Sequence, residues 1–195
     1  MLKVVVLISG GGSNLKALLD AAADSAYPAT IVAVGSDTDA TGLEYAREAN
    51  IPAFTVRPRD FESRDAWGEA FAAEIRKHAP DLVVSAGLMR VLPAGFVREF
   101  SPNLINTHPA MLPLFPGAHA VRDALAAGAT ETGVTVHIID EGVDTGPVLR
   151  QRSISILFEE SEDELHERIK QIERPLLVET VRDIARGELP LTQSK

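Results

Sequence analysis

Two segments hold the side chains best suited to chemistry. They are Asn106-Thr107-His108-Pro109 and, further along, Asp140-Glu141-Gly142-Val143-Asp144-Thr145-Gly146-Pro147. Asn106 offers a neutral amide donor, His108 a titratable imidazole, and Asp144 a carboxylate inside a glycine-punctuated loop. An amide aimed at a developing oxyanion stabilises a tetrahedral intermediate. An imidazole can donate to the same oxygen or move a proton, and a carboxylate beside it favours its charged form. These are the parts for acyl-type transfer without a covalent enzyme nucleophile. The chain has no Gly-x-Ser-x-Gly elbow and no cysteine, which disfavours Ser-His-Asp hydrolysis and excludes thiolate catalysis, disulfides and Cys-based zinc sites.

The local pattern brings Asn106 and His108 together. Leu104-Ile105-Asn106 reads as a strand end, and Pro109 pushes His108 toward extended backbone. Side chains two apart on an extended chain share a face. Thr135 and His137 alternate with Val134, Val136 and Ile138, so they also share a face and are expected to line the same cavity as His108. His119 is a further interior-looking candidate. No histidine pair has the helical spacing or close ligand neighbour of zinc hydrolases, so no metal is expected. Arg64, near a helix start, and Arg90, after Leu88-Met89, are candidate anion contacts.

A second motif is Ser9-Gly10-Gly11-Gly12-Ser13-Asn14, between a buried strand Val4–Ile8 and a helix from Leu15 to Ala23 opened by Ser13 or Asn14. In open α/β sheets such a turn binds phosphate through free backbone N–H groups and the helix dipole. It is not a P-loop, because no lysine follows Gly12, and Leu15 stands where a dinucleotide fingerprint needs its last glycine. Asp37, after the second strand, occupies the place of a ribose-binding acid. A single phosphate on a small substrate fits the loop at least as well as a dinucleotide.

The elements that must position these groups alternate. Strands are expected at Ile31–Val34, Pro52–Val56, Leu82–Ala86 and Leu104–Asn106, with helices from Thr41, through a capping box, and from Ser63 to Lys77. Later, Val134–Ile139 and Val148–Ile156 read as strands that pair antiparallel across the Gly142–Gly146 loop. Ser161 to Glu164 is a second capping box, opening a long helix toward Arg186 that Pro175 is expected to kink or segment, and Leu191–Lys195 reads as a frayed tail. The fold class is therefore α/β, a mainly parallel, Rossmann-like open sheet with helices on both faces and an antiparallel C-terminal portion. At 195 residues, 45% hydrophobic and 24% charged, residues 1–195 make one globular domain. A net charge of −9 argues against nucleic-acid and anionic-membrane binding. No apolar run approaches spanning length, and a cytoplasmic location is the expectation.

On these motifs, with Ala86-Gly87-Leu88-Met89-Arg90 and Leu112-Pro113-Leu114-Phe115-Pro116-Gly117, the chain resembles the phosphoribosylglycinamide formyltransferase family over essentially its whole length. The Asn–His–Asp trio is shared by the wider superfamily that uses 10-formyltetrahydrofolate. The resemblance implies formyl transfer from that folate co-substrate to the amine of glycinamide ribonucleotide in purine biosynthesis, between small molecules and without metal. It implies that Asn106, His108 and Asp144 are catalytic, and that Gly12, Ser13 and Asn14 hold the ribonucleotide phosphate. Lys170 and Glu173 would contact the glycinamide end or ribose. The folate would meet Arg64, Met89, Arg90, Val91, Leu92, Asp140, Glu141, Gly142, Val143 and Asp144. Residues 1–100 would then be the phosphate-binding half and 101–195 the catalytic and folate-binding half. The chain departs from the family pattern at Thr107, Ala110, Met111 and Leu88, all near the folate side. The alternatives are a hydrolase or another formyltransferase of the superfamily, and a non-catalytic nucleotide-binding module. The absence of an added RNA-binding or regulatory domain, the acidic charge and the glycine loop all favour a small phosphorylated amine as acceptor.

Overall fold

A computed structural model describes residues 1–192; the last part of the expected tail, 193–195, lies outside them. In chain order the elements are β1 (Leu2–Ile8), α1 (Ser13–Ala22), β2 (Ala29–Ser36), α2 (Leu43–Glu48), β3 (Ala53–Thr55), α3 (Arg64–Arg76), β4 (Leu82–Ser85), α4 (Ala94–Phe100), β5 (Leu104–His108), α5 (Ala120–Ala126), β6 (Glu131–Ile138), β7 (Val148–Ser155) and α6 (Glu162–Ala185). The strands form one sheet in the order β3-β2-β1-β4-β5-β6-β7. The first five run parallel, and β6 and β7 alternate in direction. The chain reverses its walk across the sheet between β1 and β4. Ligand crevices of open α/β sheets form at such a switch point, beyond the carboxyl ends of the strands.

Alternation along the strands divides the core in two. Val4, Val6, Ile8 and Ile105 pack with α1 and α6, whereas Val5, Leu7 and Leu104 pack with Trp67 and Phe71 of α3 and Phe96 of α4. Both faces of β1 are thus covered, which is why its apolar run is unbroken. The same alternation sends Asn106 and His108 to the α3 side with Leu104, and Thr107 to the α6 side with Ile105. There the Thr107 hydroxyl donates to Glu173 Oε1 of α6 at 2.8 Å.

Two helices open on side-chain caps. Ser63 Oγ accepts from Ala66 N–H at 3.0 Å, and Ser161 with Glu164 closes the expected capping box. Two expected caps do not form. The N-cap of α1 is Gly12, at φ 71°, rather than Ser13 or Asn14. The N-cap of α2 is Gly42, with no side-chain bond from Thr41. These two glycines pack on each other: Gly42 N–H donates to Gly10 O at 3.0 Å, and a Cβ on Gly42 would sit 2.9 Å from that oxygen.

Pro175 does not segment α6, which continues through it for 24 residues. Buried Ile169 and Glu173 before it, and Leu176 and Leu177 after it, seat both halves of the helix in one core. Leu191, expected in a frayed tail, packs against that core instead. Helices α4 and α5 escaped the sequence reading. Each has 7 residues and no side-chain cap, so propensity and capping marked neither.

Candidate active site

A cavity of about 300 Å³ opens over the carboxyl ends of β4 and β5, at the lower end of the range for small-molecule sites. Met89, Arg90, Val91 and Leu92 line one side, Asn106, His108 and His137 the floor, and Asp140, Gly142, Val143 and Asp144 the other side. His119 contributes at the head of α5. The trio expected from sequence is therefore assembled in one space.

Asn106 and His108 reach it from the last turns of β5. Asp144 arrives on the β6–β7 loop, in the left-handed region at φ 53°. That conformation costs an Asp about 1 kcal/mol or more unless its surroundings hold it. Here the Gly117 N–H donates to Asp144 Oδ2 at 2.8 Å. His108 Nδ1 stands 3.4 Å from Oδ2, and His137 Nε2 stands 3.5 Å from Oδ1. Burial opposes ionisation of Asp144, but the His137 contact, the Gly117 N–H and the charges of His108 and His137 outweigh it. They bring its pKa from 3.8 down to about 2.

The two imidazoles are fixed from behind. His108 Nε2 lies 2.8 Å from the Phe115 carbonyl, and an oxygen that can only accept requires a hydrogen on that nitrogen. Both ring nitrogens of His108 therefore face oxygen. His137 lies opposite Asn106 in the β5–β6 register. Its Nδ1 faces the Ile138 carbonyl at 3.0 Å and its Nε2 lies 3.2 Å from Asn106 Nδ2. When neutral, His137 accepts from Asn106 and orients that amide, leaving the second Nδ2 hydrogen for the cavity.

Other expected residues lie elsewhere. Thr135 is not in the cavity: its hydroxyl donates to Ala110 O at 2.7 Å and accepts from Leu112 N–H at 3.1 Å, holding the turn after β5. Arg64 Nη2 donates to the Leu92 carbonyl at 2.8 Å, behind the rim. Glu141 is exposed and pairs with Arg98 at 3.0 Å. Gly12, Ser13 and Asn14 head α1 on the α6 side of the sheet, apart from the cavity lining. Around Gly10 and Gly11 the backbone is open, with nothing within 4 Å of an added Cβ. Asn14 is buried with its Oδ1 unpartnered. Lys170 Nζ pairs with Glu167 at 2.6 Å, and buried Glu173 reaches the cavity only through Thr107, which lines it. The contributions of Phe115, Gly117 and the Asn106–His137 pairing were not read from sequence. The signal available was the Pro116-Gly117 dipeptide, which marks a turn.

An open α/β sheet with an amide, an imidazole and an ionised carboxylate at its strand ends describes a transferase of acyl-type groups. The formyl transferase family model matches residues 2–181. A phosphoribosylglycinamide formyltransferase of Mycobacterium tuberculosis H37Rv is 53% identical over 94% of this chain and 85% of its own length. That of Escherichia coli K12 is 39% identical over 99% of this chain and 92% of its own. The crystal structure of glycinamide ribonucleotide transformylase 1 from Symbiobacterium toebii superposes with a TM-score of 0.95 at 37% identity, covering 98% of this chain and 91% of that one. The chain belongs to the formyl transferase family and, within it, to the phosphoribosylglycinamide formyltransferases. Among the described residues no helix is long and apolar enough to cross a membrane.

Proposed function

We propose that this enzyme transfers the formyl group of 10-formyltetrahydrofolate to the primary amine of glycinamide ribonucleotide, by direct attack. The observation that carries the mechanism is that Asn106, His108 and Asp144 line one cavity, with His108 Nδ1 3.4 Å from Asp144 Oδ2. The folate would enter between Met89–Leu92 and Asp140–Asp144, and its glutamate end would lie toward Arg64. The open backbone of Gly10 and Gly11 supports a phosphate at the head of α1. Glu173, beside Thr107, would take the glycinamide end with Lys170. The two substrates thus approach the end of β5 from opposite sheet faces.

The amine nitrogen attacks the formyl carbon, and the carbonyl π electrons move to oxygen. Asn106 Nδ2–H and the Nδ1–H of a protonated His108 stabilise that oxyanion, while His108 Nε2–H stays with Phe115 O. The oxyanion then collapses, the bond from carbon to the folate nitrogen breaks, and the proton lost by the amine passes to that nitrogen. Asp144, with a pKa of about 2, is too weak a base to keep that proton. Its part is to balance the charge on His108 and to anchor the proton's path. The nucleotide-binding alternative loses one of its two supports, since Asp37 is buried with both oxygens partnered.

A formyl-transfer assay with the two substrates tests the reading. His108→Ala and Asp144→Asn are expected to lose at least about a hundredfold in kcat, in line with removal of one acid–base or oxyanion group, with unchanged circular dichroism. A wild-type chain that transfers no formyl group would overturn it.

A further inference from the structure

Asp37 follows β2 and has no part in the chemistry above. Its side chain is 1% exposed. Oδ1 accepts from Ser9 Oγ–H at 2.6 Å and Oδ2 from Arg90 Nε–H at 2.9 Å, and burial closes the carboxylate to a ribose. Ser9 is itself tied on every side. Its Oγ accepts from Met89 N–H at 2.8 Å, its N–H donates to Gly87 O at 3.1 Å, and its carbonyl accepts from Thr38 Oγ1–H at 2.9 Å. One buried carboxylate therefore joins the segments that follow β1, β2 and β4. The first leads into the glycine loop, and the third is the cavity rim.

We infer that Asp37 is a positioning residue for both substrate loops, acting on the glycine loop through Ser9 and on the folate rim through Arg90. The inference rests on the formyl-transfer reading. A carboxylate shut away from water keeps its place only while both oxygens are matched, and removing a partner leaves an uncompensated buried group. Asp37 thereby holds Ser9 where Gly10–Gly12 must start. It also tethers the Arg90 guanidinium at Nε, and that side chain, 41% exposed, lines the cavity.

The two arms differ chemically. A serine hydroxyl can donate to an amide oxygen or accept from an amide nitrogen, so asparagine serves the Ser9 arm in either orientation. The Arg90 arm is charge-assisted and weakens when the charge is lost.

Steady-state kinetics on the full chain, varying each substrate in turn, separate these effects. Asp37→Asn is expected to raise KM for 10-formyltetrahydrofolate by about tenfold, the scale of one hydrogen bond to a charged group. KM for glycinamide ribonucleotide and kcat should each stay within about twofold, because the Ser9 arm and the Asn106–His108–Asp144 trio are untouched. Asp37→Ala is expected to raise both KM values. If that variant does not fold, the Asn variant decides alone. An Asn variant with both KM values unchanged, with both raised alike alongside a lower Tm, or with kcat lost instead, overturns the inference while leaving the formyl-transfer reading intact. A wild type without formyl transfer overturns both.

Discussion

At the residue scale, Asp144 carries the charge around which the site is built. Two histidines and a backbone N–H converge on it, and its pKa falls from 3.8 to about 2. A carboxylate whose folded pKa is depressed binds fewer protons folded than unfolded. Its contribution to stability is therefore complete above the unfolded value near 4 and disappears as pH falls toward 2. The difference in urea stability between wild type and Asp144→Asn should include about 2 kcal/mol from this source at pH 6, falling to a few tenths of a kcal/mol at pH 2. A difference that stays constant from pH 6 to pH 2 would sink this account. The identity of the trio was legible in the sequence, because amide, imidazole and carboxylate are types, and types are read directly. The hydrogen bonds that aim them were not. Phe115 O, Gly117 N and His137 are supplied by other segments, and no spacing in the chain announces them.

At the element scale, the glycine loop is shaped as much by α2 as by α1. Gly42 N–H donates to Gly10 O, and a Cβ at position 42 would meet Gly10 O, Gly12 Cα and Ile8 Cδ1, each at 2.9 Å. Two of these are backbone atoms that cannot swing aside, so Gly42→Ala must displace the loop. Calorimetry on this variant should find ribonucleotide binding weakened by at least about tenfold, corresponding to ~1.4 kcal/mol, and folate binding changed much less. Equal losses for both ligands would contradict the division of the site by sheet face. Here sequence reasoning chose a capping box from Thr41 to Glu44 and missed a glycine contact. Capping is a local pattern, whereas the approach of two glycines distant in sequence depends on how α1 and α2 dock on the sheet. The antiparallel pairing of β6 with β7 and the capping box of α6 were both legible, because each is specified within a short stretch.

At the scale of the whole molecule, two cores cover the sheet, one on each face. Phe71 is fully buried on the α3 side, in contact with Trp67 and Phe96. Phe71→Ala should cost about 3–5 kcal/mol in urea unfolding through the cavity left behind. The loss should fall on stability rather than on ribonucleotide binding, which the proposal assigns to the opposite face. A variant as stable as wild type would mean that this face is not a packed core.

Read alone, the chain determined the α/β class, most strands and the long helices, the glycine loop and the residue types of the candidate trio. Hydrophobic period and residue type are local properties, and these features depend on little else. Tertiary structure decided that Asp37 clamps two loops rather than binding a ribose, that Thr135 braces a turn rather than lining the cavity, and that His137 orients Asn106. Each of these depends on which groups distant in sequence arrive within 3 to 4 Å. That distance is set by the packing of helices on both sheet faces, and it leaves no periodic trace in the chain.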